Sequence, residues 1–209
     1  MTVTTRKPSP VDLYEQYRPQ MKPGDVIAFS GRAGFSTMIK LLTNSEYSHV
    51  GIVLNDKSLL LGEMVLLIES TTEIQLSDAD GRQAIKGVQL HFLSQRLSMY
   101  DGSAFWVPLK NPIPQAQLDQ MLTWARNIYA EKVPYAYTQV CGIPLLKIED
   151  ACGMETKPDY DAFFCSELVT KTLQVAGVLD TSIDPATQTP SDVVNFSCFD
   201  KPVQIKEVG

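Results

Sequence analysis

The sequence predicts a single α+β domain. Three observations predict it. Short strand-like apolar runs cluster in the middle of the chain. Segments of helical periodicity lie toward both ends. No regular strand–helix alternation suggests parallel βαβ units. The 209 residues fit one domain, which can bury a sizeable core without staples. No internal repeat or low-complexity linker divides the chain. Residues 1–209 are therefore read as one unit.

The elements follow in order. Ser9-Pro10 marks a helix start, with Val11, Leu13, Tyr14 and Tyr17 on a rough apolar side. Pro23-Gly24-Asp25 is a turn into a short strand from Val26 to Phe29. The loop Ser30-Gly31-Arg32-Ala33-Gly34 leads to a second helix, with Met38, Ile39, Leu41 and Leu42 on its buried side. Strands are expected at His49 to Leu54, within Leu59 to Glu69, at Val88 to Leu93 and at Phe105 to Leu109. Pro112 and Pro114 open a long helix from about Gln115 to Glu131, where Leu118, Met121, Leu122, Ala125, Ile128 and Tyr129 recur at helical spacing. A loop-rich region follows from Val133 to Ala162. The last clear helix runs from about Cys165 to Ala176 and stops at Gly177. Trp106, Phe163, Phe164 and Phe196 read as one aromatic core cluster.

Composition excludes several classes. With 44% hydrophobic and 20% charged residues, the chain is neither disordered nor fibrous. A net charge of −6 with no Lys/Arg cluster argues against electrostatic binding to nucleic acid. No apolar run follows Arg6 and Lys7, so no secretory leader is read. The longest apolar stretch, near Met64 to Ile68, is too short to cross a bilayer. The expectation is a cytoplasmic chain without stable membrane insertion. Cys141, Cys152, Cys165 and Cys198 show no C-x-x-C spacing and have no nearby histidine, so neither a metal nor another cofactor is expected. Gly31 to Gly34 lacks the Lys-Ser/Thr ending of a phosphate-binding loop, although Arg32 can still meet an acidic group.

Chemistry has few candidates. The chain holds two histidines. His91 lies in Val88-Gln89-Leu90-His91-Phe92, and alternation places it with Gln89 on a solvated face. His49 opens His49-Val50-Gly51-Ile52-Val53-Leu54, with Gly51 leaving open space beside the imidazole. It suits either a hydrogen-bonded structural role or a functional one. Cys165 stands at a helix start, where unpaired N–H groups and the helix dipole favour a thiolate. The same position also suits a small apolar residue beneath the helix. Glu69 ends the apolar run Val65-Leu66-Leu67-Ile68 and must reach either water or a partner. A histidine ring N–H on a neighbouring strand is one such partner. Cys, His and Glu are the types of a nucleophile, a base and an orienting group.

Four segments, Gly24-Asp25-Val26-Ile27, Tyr47-Ser48-His49-Val50-Gly51-Ile52, Glu69, and Phe164-Cys165-Ser166-Glu167-Leu168-Val169, resemble the motifs of the YiiX-like circularly permuted papain-fold cysteine hydrolases. Those are relatives of the NlpC-type peptidases and, more distantly, of lecithin:retinol acyltransferase. The resemblance spans roughly Gly24 to Val169, with a further likeness at Thr189-Pro190-Ser191-Asp192. It implies a single permuted papain-like hydrolase domain, a central antiparallel sheet or partial barrel packed against helices, with its catalytic core over about residues 22–195 and His before Cys. It also implies Cys165 as nucleophile, His49 as general base and Glu69 as the orienting residue. Tyr135 is the implied oxyanion or substrate-binding ring, together with Ser166 at the helix start. The chain departs from the pattern at Ala136, where the family often carries Asp, and Tyr137 is a second candidate ring.

The implied activity is hydrolysis of amide bonds in peptides or peptidoglycan fragments, through an acyl-enzyme on Cys165. The alternatives are an acyltransferase or thioesterase on lipid-like acyl groups, and a binding module with a retained triad. A long apolar cleft beside Cys165 favours the acyl reading, a polar groove the peptide one, and an unreactive Cys165 the binding module. The implied partner is a small peptide or acyl substrate. The oligomeric state is not set by the sequence.

Overall fold

In a computed structural model of the chain, residues 10–32, 45–54, 64–134 and 164–207 are described. The helix expected after Ser30 and the residues Tyr135, Ala136, Tyr137, Cys141, Cys152 and Phe163 lie outside them. The described part is α+β: a six-stranded antiparallel sheet packed against helices.

The strands are β1 (Val26–Gly31), β2 (His49–Val53), β3 (Leu66–Thr71), β4 (Gly87–Phe92), β5 (Gly102–Val107) and β6 (Val203–Lys206). Their spatial order is β4-β3-β2-β1-β5-β6. β1 thus pairs with β2 on one side and with β5 on the other. The helices are α1 (Pro10–Tyr17), α2 (Leu93–Met99), α3 (Gln115–Ala130), α4 (Cys165–Val175) and α5 (Pro190–Val194). Three of these elements, α2, α5 and β6, were not read as such from the sequence. The strand expected at Val88 to Leu93 ends at Phe92, and the chain turns at once into α2. The chain end adds β6 at the edge of the sheet.

Helices cover both faces, which explains the apolar runs. Every residue of β3 is buried, as are the first four of β1. An antiparallel strand wet on one side alternates, but a strand covered on both sides reads as a continuous run. One face carries Val26, Ala28, Val50, Ile52, Ile68 and Val88, packed with Met121 and Ala125 of α3 and with Leu168 and Leu173 of α4. The other carries Ile27, Phe29, Val53, Leu67, Ala104, Trp106 and Ile205, packed with Tyr14 of α1 and with Leu93 and Leu97 of α2. Trp106 therefore lies on the opposite face from Phe164 and Phe196, and the expected single aromatic cluster is two.

Local chemistry fixes the ends that position the site. Asp25 is buried, and its carboxylate accepts from Trp106 Nε1, Lys22 N and Leu109 N, each at 2.8 Å. That carboxylate joins the turn before β1 to the end of β5. α4 ends where Gly177 takes φ +66, while Val178 N and Gly177 N donate to the carbonyls of Leu173 and Gln174. At α5, Thr189 and Asp192 cap one another, and Pro190 occupies the first turn.

Candidate active site

The site is assembled on the α1/α2 face. Phe29 and His49 are register partners on β1 and β2, and their rings lie 5.5 Å apart. Antiparallel partners share a face, so His49 and Gly51 project beside Phe29. Ile52 is opposite Ile68 on β3, which places Gly51 beside Glu69. His49 Nε2 lies 2.5 Å from Glu69 Oε2.

Gly51 is not bordered by open space, as the sequence suggested. A Cβ there would lie 3.0 Å from Leu67 and 3.1 Å from Cβ of Glu69. The missing side chain is the room through which Glu69 passes the strand to reach His49. Nor does Glu69 end its strand: β3 continues to Thr71, and Glu69 is completely buried.

Two further groups hold that carboxylate, and the sequence reading found neither role. His91 Nδ1 lies 2.7 Å from Glu69 Oε1, and Arg96 Nε donates to the same oxygen at 2.8 Å. The solvated position expected for His91 is wrong, because His91 is only 1% exposed. Alternation placed it on the correct side, but α2 covers that side. Arg96 comes from α2, and its guanidinium stacks over Phe29 and Tyr100 at 5.0 and 5.1 Å. Burial pushes the Glu69 carboxyl upward, but the Arg96 charge and the bonds from His49 and His91 outweigh it. The group is held well below the usual carboxylate range. Burial likewise opposes the charge on Arg96, and Glu69 restores it, raising its pKa. A buried carboxylate with its countercharge and donors supplied is the arrangement that offsets the desolvation cost.

Because Glu69 is ionised and accepts only, the ring nitrogens facing it carry the protons. In His49 that nitrogen is Nε2, so the lone pair falls on Nδ1. Gly51 and Glu69 thereby fix which atom of His49 can take up a proton.

Cys165 is the first residue of α4, after Phe164 in extended conformation. It is completely buried, in the cluster with Val50 and Ile52. That cluster lies under the face opposite Phe29 and Glu69. The structure thus joins His49 to Glu69 and sets Cys165 on the other side of the sheet, at a helix start packed against β2. Neither Cys165 nor Cys198 is in a disulfide. The Ser166 hydroxyl is buried and donates to the Gln188 carbonyl at 2.5 Å. It ties α4 to the segment before α5, so only its backbone N–H remains for an oxyanion. Glu167 contacts the Phe164 N–H at 3.4 Å, and burial raises its carboxyl pKa against that bond. Arg32 is exposed.

No family model matches the chain, and no curated protein matches it. Among solved structures, the chain is similar to the crystal structure of the metalloprotein YiiX (DUF1105) from Escherichia coli O157:H7. The likeness covers 91% of this chain and 99% of that one, at 17% identity and a TM-score of 0.49. Among the described residues, no group of three His, Cys, Asp or Glu side chains is arranged to hold a metal ion. The His49–Glu69–His91 set does not fit one either, since both rings turn N–H groups toward a carboxylate that Arg96 already neutralises. Among the same residues, no helix is long and apolar enough to cross a membrane.

Proposed function

We propose that the chain is a cysteine hydrolase of the permuted papain-like, NlpC-type class, acting on amide bonds of small peptides or peptidoglycan fragments. The observation that carries this reading is the 2.5 Å pair between His49 Nε2 and the buried carboxylate of Glu69. It prepares an imidazole with its lone pair on Nδ1 and an anion behind it, as a general base requires. The helix-start position of Cys165 supports the same reading, because the helix dipole favours a thiolate there.

In the proposed reaction, Nδ1 of His49, the first residue of β2, takes the proton from Sγ of Cys165, the first residue of the helix packed against β2, around the end of the sheet that separates them. The thiolate attacks the substrate carbonyl carbon, and the carbonyl electron pair moves onto oxygen. Backbone N–H groups at Cys165 and Ser166, with the phenol O–H of Tyr135, donate to that oxyanion. The C–N bond then breaks, and His49 returns its proton to the departing amine. A water, deprotonated by His49, attacks the thioester, releasing the acid and the thiol. An acyl acceptor in place of water would give acyl transfer on the same atoms.

A second reading rests on the burial of Cys165. A completely buried thiol among Val50, Ile52 and Leu168 also serves as a small packing residue. It would make the chain a non-catalytic binding module.

The deciding experiment is iodoacetamide alkylation of each cysteine against pH, read by mass spectrometry, in the native chain and in His49→Ala. Cys198 is the slow internal reference, since burial pushes its thiol up to about 11. Cys165 is expected to react fast below pH 7 and to slow by about tenfold or more without its base, the equivalent of at least one unit in the thiol pKa. Reaction no faster than that of Cys198, or indifference to His49, favours the binding module.

A further inference from the structure

His91 plays no part in the proposed reaction, yet it occupies half of the partners on Glu69 Oε1. A Glu side chain turns easily about its last torsion, which is broad and roughly two-fold. With one neighbour only, the carboxylate would sample several orientations beside His49. Here Oε1 is held from two separate elements, by His91 of β4 and Arg96 of α2. Two donors on one oxygen fix the plane of the carboxylate and aim Oε2 at His49.

The ring of His91 has only one satisfactory tautomer. Its Nε2 is buried and has no hydrogen-bond partner among the described residues. A proton on Nδ1 has the Glu69 acceptor, whereas a proton on Nε2 would be stranded and would leave two lone pairs facing at Nδ1. The ring therefore donates to Glu69 from Nδ1. Arg96 supplies the countercharge; His91 supplies direction.

We propose that His91 is a positioning residue: acting through Glu69, it holds His49 with its proton on Nε2 and its lone pair on Nδ1. This rests on the reading of His49 as the base. The groups facing Glu69 in this arrangement are His49, His91 and Arg96, with Phe29 and Tyr100 walling the guanidinium.

The test uses the full chain labelled with ¹⁵N-histidine, where two imidazoles give separable ring signals. In the unmodified protein, His49 is expected as the Nε2–H form and His91 as the Nδ1–H form. An Nε2–H form for His91 overturns the proposal without any variant. His91→Asn places an amide N–H where Nδ1 stood, and His91→Gln places it where Nε2 stood. The Asn variant is expected to keep the His49 tautomer and the pH profile of Cys165 alkylation. The Gln variant is expected to mix the His49 tautomers and to move that profile up by about one pH unit, a tenfold loss of rate on its acid side. Identical ring signals and profiles in both variants overturn the proposal. So does an Asn variant that loses the His49 tautomer while remaining folded, which decides the matter if the Gln variant does not fold. Failure of the cysteine-hydrolase reading looks different: alkylation of Cys165 ignores His49→Ala, while the His49 ring signals still follow the residue at 91.

Discussion

On the face under α3 and α4, the sheet contributes Val26, Ala28, Val50, Ile52 and Ile68; one residue along the same strands, the α1/α2 face receives Phe29, His49, Glu69 and His91. The first face is held by area. Each fully buried Leu, Val or Ile contributes about 1.5–3 kcal/mol, without direction. The second face concentrates its interactions on one carboxylate with three N–H partners from three elements. An apolar face loses stability in proportion to the volume removed. A buried ionic cluster loses little until one member goes, and then a charge is stranded. The same strands therefore carry two different kinds of vulnerability, one residue apart.

The largest effect should come from breaking the second face. Arg96→Met is expected to cost about 3–5 kcal/mol in urea denaturation, because Glu69 is left ionised without its countercharge. The pH dependence follows from the same carboxylate. Its native pKa lies below the usual 4.5, so its stabilisation is complete above that value and is lost as the pH falls toward the native one. Urea midpoints between pH 7 and 3 should fall more steeply in the native chain than in Glu69→Gln. Equal slopes would place the acid sensitivity elsewhere.

Leu168→Ala tests the apolar face. It should cost about 2–5 kcal/mol through the cavity it leaves. The ¹⁵N ring signals of His49 and His91 should not move, and a change in them would show that the faces are coupled. Gly51→Ala sharpens the comparison at smaller cost, about 1–3 kcal/mol of crowding. Its Cβ would press on Leu67 and Glu69, so the His49 ring signals should shift even though no polar group has changed.

Periodicity made much of this legible. Pro112 to Ala130 and Cys165 to Gly177 fall where helical spacing and terminal signals put them. The middle strands follow their apolar runs, and Cys165 opens a helix as its neighbours suggested. What stayed hidden depends on what covers a strand. Alternation assigned His91 and Gln89 to one face, but it carries no information on whether that face is wet. That required α2, a seven-residue helix too short to announce itself by period and joined directly to β4. Arg96 was invisible for the same reason. β6 offers only Val203 and Ile205 as an alternating signal, after Pro202, and gains its place by pairing with β5. Gly51 looked like open space because a sequence shows the missing side chain and not the neighbour that fills the gap.

The place of β1 has a consequence for how the chain reaches this structure. Its two neighbours are β2 and β5, and the pairing of Val26 with Val107 and the Asp25–Trp106 bond both close a loop of 81 residues. The pairing of β1 with β5 therefore cannot form from local contacts, and closure of that long loop must be repaid by pairs made late. Folding should be slow for the chain's size, with a transition state in which β2, β3 and β4 are already paired. Asp25, which fastens the turn before β1 to the end of β5, should then govern the unfolding rate more than the folding rate.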